Sequence, residues 1–316
     1  MKIAVLGTGS MGKTHAAIYK GFKEIDSVTI VGRNEQKTKN IADNLGIQGS
    51  VNIPEVFSDA SITAVDVCLP TNLHKEFVIS ALANNKHVFC EIPIAYDLKD
   101  ATEMLHRAKV VQKIFLVAQV MRFVPEIDCI ISKLELNVPG IIQAVHLHRY
   151  QRYKVPEPII DLMGFDLSIV NYIFGMPKSV FATKSNRPGS EEFFAILNYP
   201  DFSCLTEFRT VMFRDFPLSY GMRIVGTEGL LEANTVYTSP KSSMPESAIT
   251  FYRKGAKKED IEFDGHDPYT RECRYFIDTV LGKVDGNLLD AIHAINTLKI
   301  ATAIKKSLSD NKEVVF

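Results

Sequence analysis

The strongest constraint on this chain is its opening: a short apolar run at 2–6, then Gly7-Thr8-Gly9-Ser10-Met11-Gly12, then helical spacing over 11–22. In a GxGxxG between strand and helix, the first glycine permits a tight turn. The second lets backbone approach a pyrophosphate, and the third lets the helix pack on the strand. The helix start then turns unpaired N–H groups and a positive dipole end toward that ligand. The pattern predicts a βαβ unit in a parallel sheet, with a dinucleotide at its edge.

The following residues continue the plan. Strands are expected at 28–31, 64–69, 87–90 and 114–118, alternating with helices at 35–45, 74–84 and 98–108, which is a doubly wound parallel sheet. From about residue 120 the apolar residues alternate with period two, as in antiparallel strands exposed on one face. Strands are expected there at 142–150, 178–184, 193–199, 203–211, 219–226, 230–234 and 248–252, with helices at 126–134, 161–174, 269–281 and 289–307. The fold class is therefore α/β: a doubly wound dinucleotide-binding domain over 1–120, then an α+β domain over 121–316.

In an NAD-binding unit an acidic residue ends the second strand and binds the ribose hydroxyls. Here Gly32-Arg33-Asn34 stands at that place. A guanidinium suits the 2′-phosphate that a carboxylate would repel, so NADP(H) is favoured over NAD(H). The other edge positions expected to meet the cofactor are Pro70, Thr71, Asn72 and His74, which follow a parallel strand.

The 36 basic and 37 acidic residues leave a net charge of −1, so no global field favours a nucleic acid or a membrane surface. The opening MKIAVLGTGS is too short and too broken by glycine for a leader or a span, and the expectation is a cytoplasmic protein. Five dispersed cysteines without a CxxC pair argue against a disulfide framework or a zinc site, and no metal is expected.

Several stretches in order resemble the glucose-fructose oxidoreductase, inositol dehydrogenase and rhizopine-catabolism (Gfo/Idh/MocA) family. They are GTGSMGKTHA, LPTNLHKEFVISALANNKHVFCEIPIA, VAQVMRFVPE, IIDLMGFDLSIVNYIFGMPKSV, VGTEGLLE and DPYTRECRYFIDTV, continuing to DAIHAINTLKIATAIKKSL. The resemblance implies a large, mostly antiparallel second sheet that forms a homodimer or homotetramer interface. It implies hydride transfer between nicotinamide and a sugar, polyol or related small alcohol or ketone. It also implies cofactor contacts by Glu91 and Arg122. The family's usual proton-handling groups are the Lys of an E-K-P tripeptide and a D-x-x-x-H pair. Here the tripeptide is Glu91-Ile92-Pro93, and Asp161 is followed four residues on by Phe165. Ile92 and Phe165 can neither donate nor accept a proton.

Three residues are candidates to replace them. Asp161 could act as base or hydroxyl acceptor, against a plain helix-capping role. Glu91 beside Ile92 should have a raised pKa and could itself exchange a proton. His148 shares one face of the 142–150 strand with His146 and Tyr150, in a stretch that also holds Arg149, Arg152, Tyr153 and Lys154. Asp166 is a weaker candidate, and His15 is expected to pack or to contact phosphate. The leading reading is an NADP(H)-preferring oxidoreductase with an altered proton-transfer set. The alternatives are a non-catalytic dinucleotide sensor of the same fold, and a redox-neutral lyase or hydrolase that uses its cofactor transiently.

Overall fold

The structure, a computed structural model, describes residues 1–151, 154–185, 191–210, 216–237 and 245–316. The chain forms two compact units, one of Met1–Phe123 with Asp267–Leu298, the other of Val124–His266 with Lys299–Phe316.

In the first unit the order along the chain is β1 (Lys2–Leu6), α1 (Ser10–Lys20), β2 (Ser27–Val31), α2 (Glu35–Leu45), β3 (Gln48–Ser50), α3 (Ile53–Ser58) and β4 (Ile62–Val67). It continues with α4 (His74–Ala83), β5 (His87–Cys90), α5 (Leu98–Val110) and β6 (Phe115–Val117). The six strands are parallel in the order β3-β2-β1-β4-β5-β6. Chain ends register: Leu6 pairs with Val31 and Val67, Val67 with Cys90, and Cys90 with Val117. Every loop that leaves the sheet at these residues therefore starts from one edge. Helices cover both faces, so Ile3, Ala4, Val5, Val65, Val67, Val88 and Phe89 are wholly buried, each large side chain contributing about 1.5–3 kcal/mol.

The two short elements absent from the sequence reading have different origins. Gln48–Ser50 has no apolar run and is a strand because it pairs with Thr29–Val31. Helix α3 begins with a side-chain cap, Asn52 Oδ1 accepting from the Glu55 N–H while Asn52 Nδ2 donates to the Glu55 carboxylate.

The second unit holds α6 (Pro125–Glu135), β7 (Ile142–Tyr150), α7 (Pro158–Asp161), α8 (Met163–Phe174), β8 (Ser179–Ser185), β9 (Glu191–Asn198) and β10 (Ser203–Thr210). Next are β11 (Leu218–Gly226), β12 (Gly229–Tyr237), β13 (Glu246–Arg253) and β14 (Lys258–Ile261). After α9 (Pro268–Val280) come α10 (Ala291–Asp310) and β15 (Val314–Val315). Among the described residues nine strands form one sheet in the order β14-β13-β12-β11-β7-β10-β9-β8-β15, in which only β7 and β10 pair parallel. One face carries the core, with Val145, Leu147, Ala195, Leu197, Cys204 and Phe208 buried beside Met163, Leu167 and Val170 of α8.

The single helix expected over 161–174 is instead two pieces. The backbone leaves helical geometry at Leu162 (φ −124°, ψ −50°), which separates Asp161 on α7 from Phe165 on α8. Helix α9, though it follows the second sheet in sequence, belongs to the first unit. Its Cys273, Phe276 and Ile277 join the core of Ile3, Ala16, Tyr19 and Phe89.

Candidate functional site

The glycine loop has the shape that the motif requires. Gly7 sits at φ +125°, and a Cβ there would stand 2.2 Å from the Cys68 carbonyl oxygen. A Cβ on Gly12 would lie 2.1 Å from the Gly7 carbonyl oxygen, so α1 can pack on the turn only with glycine at that position. Gly9, by contrast, has no atom within 4 Å of its Cβ position and is exposed, with Ser10 exposed beside it and Thr8 and Met11 half-buried. Gly9 caps α1 without a side-chain hydrogen bond, and the first turn contains no acid. Open space, unengaged N–H groups and a positive helix end together fit a pyrophosphate.

Gly32 brings the end of β2 against this loop, since its Cβ would meet Thr8 Cγ2 at 2.5 Å. Arg33 follows, exposed and in no ion pair among the described residues. The Asn34 side chain is committed to α2, accepting from the Lys37 N–H at 2.8 Å. Pro70 and Asn72 are exposed beyond β4, and Thr71 is half-buried there. His74 is fully buried and ties two edge loops together: Nε2 lies 2.8 Å from the Leu69 carbonyl and Nδ1 3.0 Å from that of Pro93. Burial lowers its pKa against the pull of those carbonyls. Arg122 is also buried, one guanidinium nitrogen donating to Gln119 Oε1 at 2.7 Å and another to the Leu288 carbonyl.

Behind this edge lies a cluster of buried acids around one imidazole. His15, one turn into α1, places Nδ1 2.8 Å from Asp66 Oδ2. Asp66 also accepts from the Tyr19 hydroxyl at 2.9 Å and from the Cys68 thiol at 3.3 Å. His15 Nε2 stands 3.5 Å from Glu91 Oε1, while Glu91 Oε2 accepts from the Ile92 N–H at 3.1 Å. Glu272 of α9 is wholly buried, with neither oxygen in a hydrogen bond of good geometry among the described residues. Burial pushes the carboxyls of Glu91 and Glu272 up, each further raised by a neighbouring carboxylate.

His15, Cys68 and Glu91 each offer an atom within 4.8 Å of the others. Asp66 already engages the imidazole, however, and burial with the adjacent carboxylates pushes the thiol well above its ordinary value, so the set suits protons rather than a metal. Of the two roles expected for His15, the structure shows packing, the ring buried and stacked on Phe89, and it adds Glu91 as a neighbour. The readable signal was Asp66, a carboxylate inside the apolar strand Val65-Asp66-Val67, which must find buried partners.

In the second unit Asp161 is half-buried and its Oδ2 accepts from the Glu157 N–H at 3.0 Å, the reciprocal half of a helix-start cap. Asp166 forms a buried two-pronged pair with Arg149, at 2.7 and 3.0 Å, which makes it an anchor of α8 on β7. Phe165 and Tyr220 flank that guanidinium, 5.2 and 4.7 Å from it. His146, His148 and Tyr150 do share the half-buried face of β7, opposite Val145, Leu147 and Arg149. His148 is seated against Gly221, where a Cβ would stand 2.6 Å from its ring, and burial and His146 lower its pKa. Tyr150 donates to Glu207 at 3.0 Å. Arg152 and Tyr153 lie outside the described residues.

Residues 1–119 match the model of an oxidoreductase family with an NAD-binding Rossmann fold, GFO_IDH_MocA. Over that stretch, about the first third of the chain, the sequence is similar to the Gfo/Idh/MocA family. It is 30% identical over 199 residues to the myo-inositol 2-dehydrogenase of Thermotoga maritima, covering 58% of each chain. It is 22% identical over 291 residues to a D-xylose 1-dehydrogenase (NADP(+)) of Haloferax volcanii, covering 87% of this chain and 88% of that one. The matched stretches span about half the length of the first curated relatives, 58%, 43% and 54%. In fold, the aldose-aldose oxidoreductase of Caulobacter crescentus superposes with a TM-score of 0.85 at 16% identity, over 100% of this chain and 99% of that one.

Proposed function

We propose that the protein is an oxidoreductase that moves a hydride between a nicotinamide dinucleotide, NADP(H) in preference to NAD(H), and a sugar, polyol or related small alcohol or ketone. The observation that carries this reading is the shared edge of the parallel sheet, where the open Gly9 cradle and the Glu91 carboxyl leave from registered strand ends. When bound, the nicotinamide supplies the hydride chemistry, and the protein has to hold the substrate and manage one proton. Glu91 suits the proton, being mostly buried, raised in pKa and backed by an imidazole. Asp161 suits it less, because its carboxylate is already engaged at the start of α7. Arg33, exposed next to the loop and free of carboxylate partners among the described residues, supports the NADP(H) preference.

A homo-oligomer joined through the open sheet face, in a cytoplasmic setting, completes the proposal. Leu205, Ile196 and Phe181 are cross-strand neighbours on that face, 37–41% exposed, and form an apolar row across β10, β9 and β8. The test is titration with NADPH and NADH followed by cofactor fluorescence, then a panel of sugars, polyols and keto-sugars watched at the reduced-nicotinamide absorbance. Tighter NADPH binding with turnover is expected. Tight binding without turnover of any panel member would instead favour the sensor, consistent with Ile92 and Phe165 at positions where proton-handling groups were expected.

A further inference from the structure

We infer that His15, oriented by Asp66, is the proton reservoir of Glu91, so that the site meets its substrate already carrying a proton and serves the reduction of a carbonyl at neutral pH. The inference deepens the oxidoreductase reading and rests on it. His15 is a positioning residue here, and Glu91 is the group that faces the substrate.

The hydrogen bonds leave one proton without a fixed place. Asp66 receives the Tyr19 hydroxyl, the Cys68 thiol and the His15 ring, so it is an acceptor and His15 Nδ1 carries a hydrogen. The remaining ring nitrogen, Nε2, is buried and in no hydrogen bond among the described residues, and Glu91 Oε1 stands 3.5 Å from it. The second Glu91 oxygen already takes the Ile92 N–H. Without a further proton, a buried lone pair would face a buried carboxylate oxygen, an arrangement that costs free energy on both sides. One proton placed on Nε2 or on Oε1 removes that repulsion.

The surroundings favour retaining it. The groups packed about the ring are Tyr19 of α1, Asp66 and Cys68 of and just beyond β4, Phe89 and Glu91 of and just beyond β5, and Glu272 on α9. The charges that bear most on His15 come from Asp66, Glu91 and Glu272, all acidic. Burial by itself lowers the imidazole pKa, but the Asp66 charge and hydrogen bond, then Glu91 and Glu272, raise it to about 9. The Glu91 side chain is 15% exposed, against 0% for His15 and Asp66, so the proton leaves and returns through Glu91.

In the reduction, a C–H bond forms at the carbonyl carbon with hydride from the reduced nicotinamide, and the C=O π pair moves to oxygen. That oxygen takes the one shared proton through Glu91, which relays it from His15 Nε2 and is left as the carboxylate. His15 is left neutral, its Nδ1 hydrogen still on Asp66, until solvent restores the proton through Glu91. Oxidation of an alcohol needs the pair emptied first and therefore gains as pH rises.

The test is side-chain NMR of the whole protein labelled with ¹⁵N-histidine, from pH 6 to 10 and without cofactor, with His15→Asn identifying the signal. Both His15 nitrogens should stay protonated until about pH 9. Asp66→Asn should bring the midpoint below the ordinary histidine value of about 6.5, and Glu91→Gln should lower it while leaving the Asp66 contact. Should Asp66→Asn fail to fold, Glu91→Gln carries the test, since its side chain reaches the surface. With NADPH and a carbonyl substrate, kcat/KM should hold to about pH 9 and fall about tenfold per unit above it. A His15 that is neutral at pH 7, or that titrates unchanged in Glu91→Gln, overturns the inference. Absence of NADPH binding would instead overturn the oxidoreductase reading, and the NMR result separates the two.

Discussion

At the scale of single residues, the chemistry turns on side chains that have, or lack, a partner. Arg33 is exposed beside the glycine loop with no carboxylate on it among the described residues. A charge-assisted bond from a guanidinium to a phosphate contributes about 1.5–3 kcal/mol. Arg33→Ala should therefore weaken NADPH binding about 10- to 100-fold and leave NADH binding nearly unchanged; equal losses for both would refute a 2′-phosphate contact. Glu272 is the opposite case, a carboxyl wholly buried with neither oxygen in a hydrogen bond of good geometry among the described residues. Glu272→Met keeps its bulk and removes the buried polar group, so denaturant unfolding at pH 8 should show a gain of about 1–3 kcal/mol. A loss would mean that the carboxyl is satisfied by bound water. Of the candidate residues, the turn geometry of the glycines and the strand-end positions of Arg33 and Glu91 were legible, because both are set locally. The partnership of His15 with Asp66 was not, because 51 residues separate them and only the sheet brings β4 against α1.

At the scale of elements, period and punctuation located most of the chain. Strands β1, β5 and β7 and helix α2 begin and end where hydrophobic spacing and turn residues put them, α2 between the Asn34 cap and a left-handed Gly46 at φ 60°. Three of the misses, β3, β14 and β15, are elements defined by pairing. Strand β14 reads Lys-Glu-Asp-Ile and becomes a strand against Ile249–Tyr252, its charges suiting an exposed sheet edge. Residues Val314–Val315 become β15 only through Ser179 and Val180. The break at Leu162 was likewise invisible to periodicity, since Leu162 and Met163 are both buried and fit an unbroken helix as well as a kinked one. Helix α8 is fixed to β7 by the Arg149–Asp166 pair. Asp166→Ala should cost about 3–5 kcal/mol in denaturant unfolding by leaving a buried guanidinium uncompensated, whereas Arg149→Met with Asp166→Leu should be close to neutral. Similar losses in both variants would show that the pair itself, and not the unpaired charge, carries the stability.

At the scale of the whole molecule, the buried acid cluster sets a pH dependence of stability. Folded His15 holds its proton to about pH 9 against an unfolded value of 6.5, and the Glu91 and Glu272 carboxyls are raised as well. For all three the folded state binds more protons than the unfolded one, so stability falls as pH rises. The His15 contribution is complete below about 6.5 and is lost on passing through about 9. The thermal midpoint should drop across that interval in the wild type and drop less in His15→Asn, and a flat or rising midpoint would contradict the assignment.

The sequence by itself determined the parallel sheet, the glycine cradle and the polar face of β7, because each depends on spacing within a few residues. Only the tertiary structure decided that 267–298 returns to the first unit and supplies Glu272, and that a histidine on the first helix backs the acid at the end of β5. Those facts depend on which distant segments share a core. Local spacing does not encode that choice, since any apolar face can pack against several others, and burial selects among them only when the whole chain is in place.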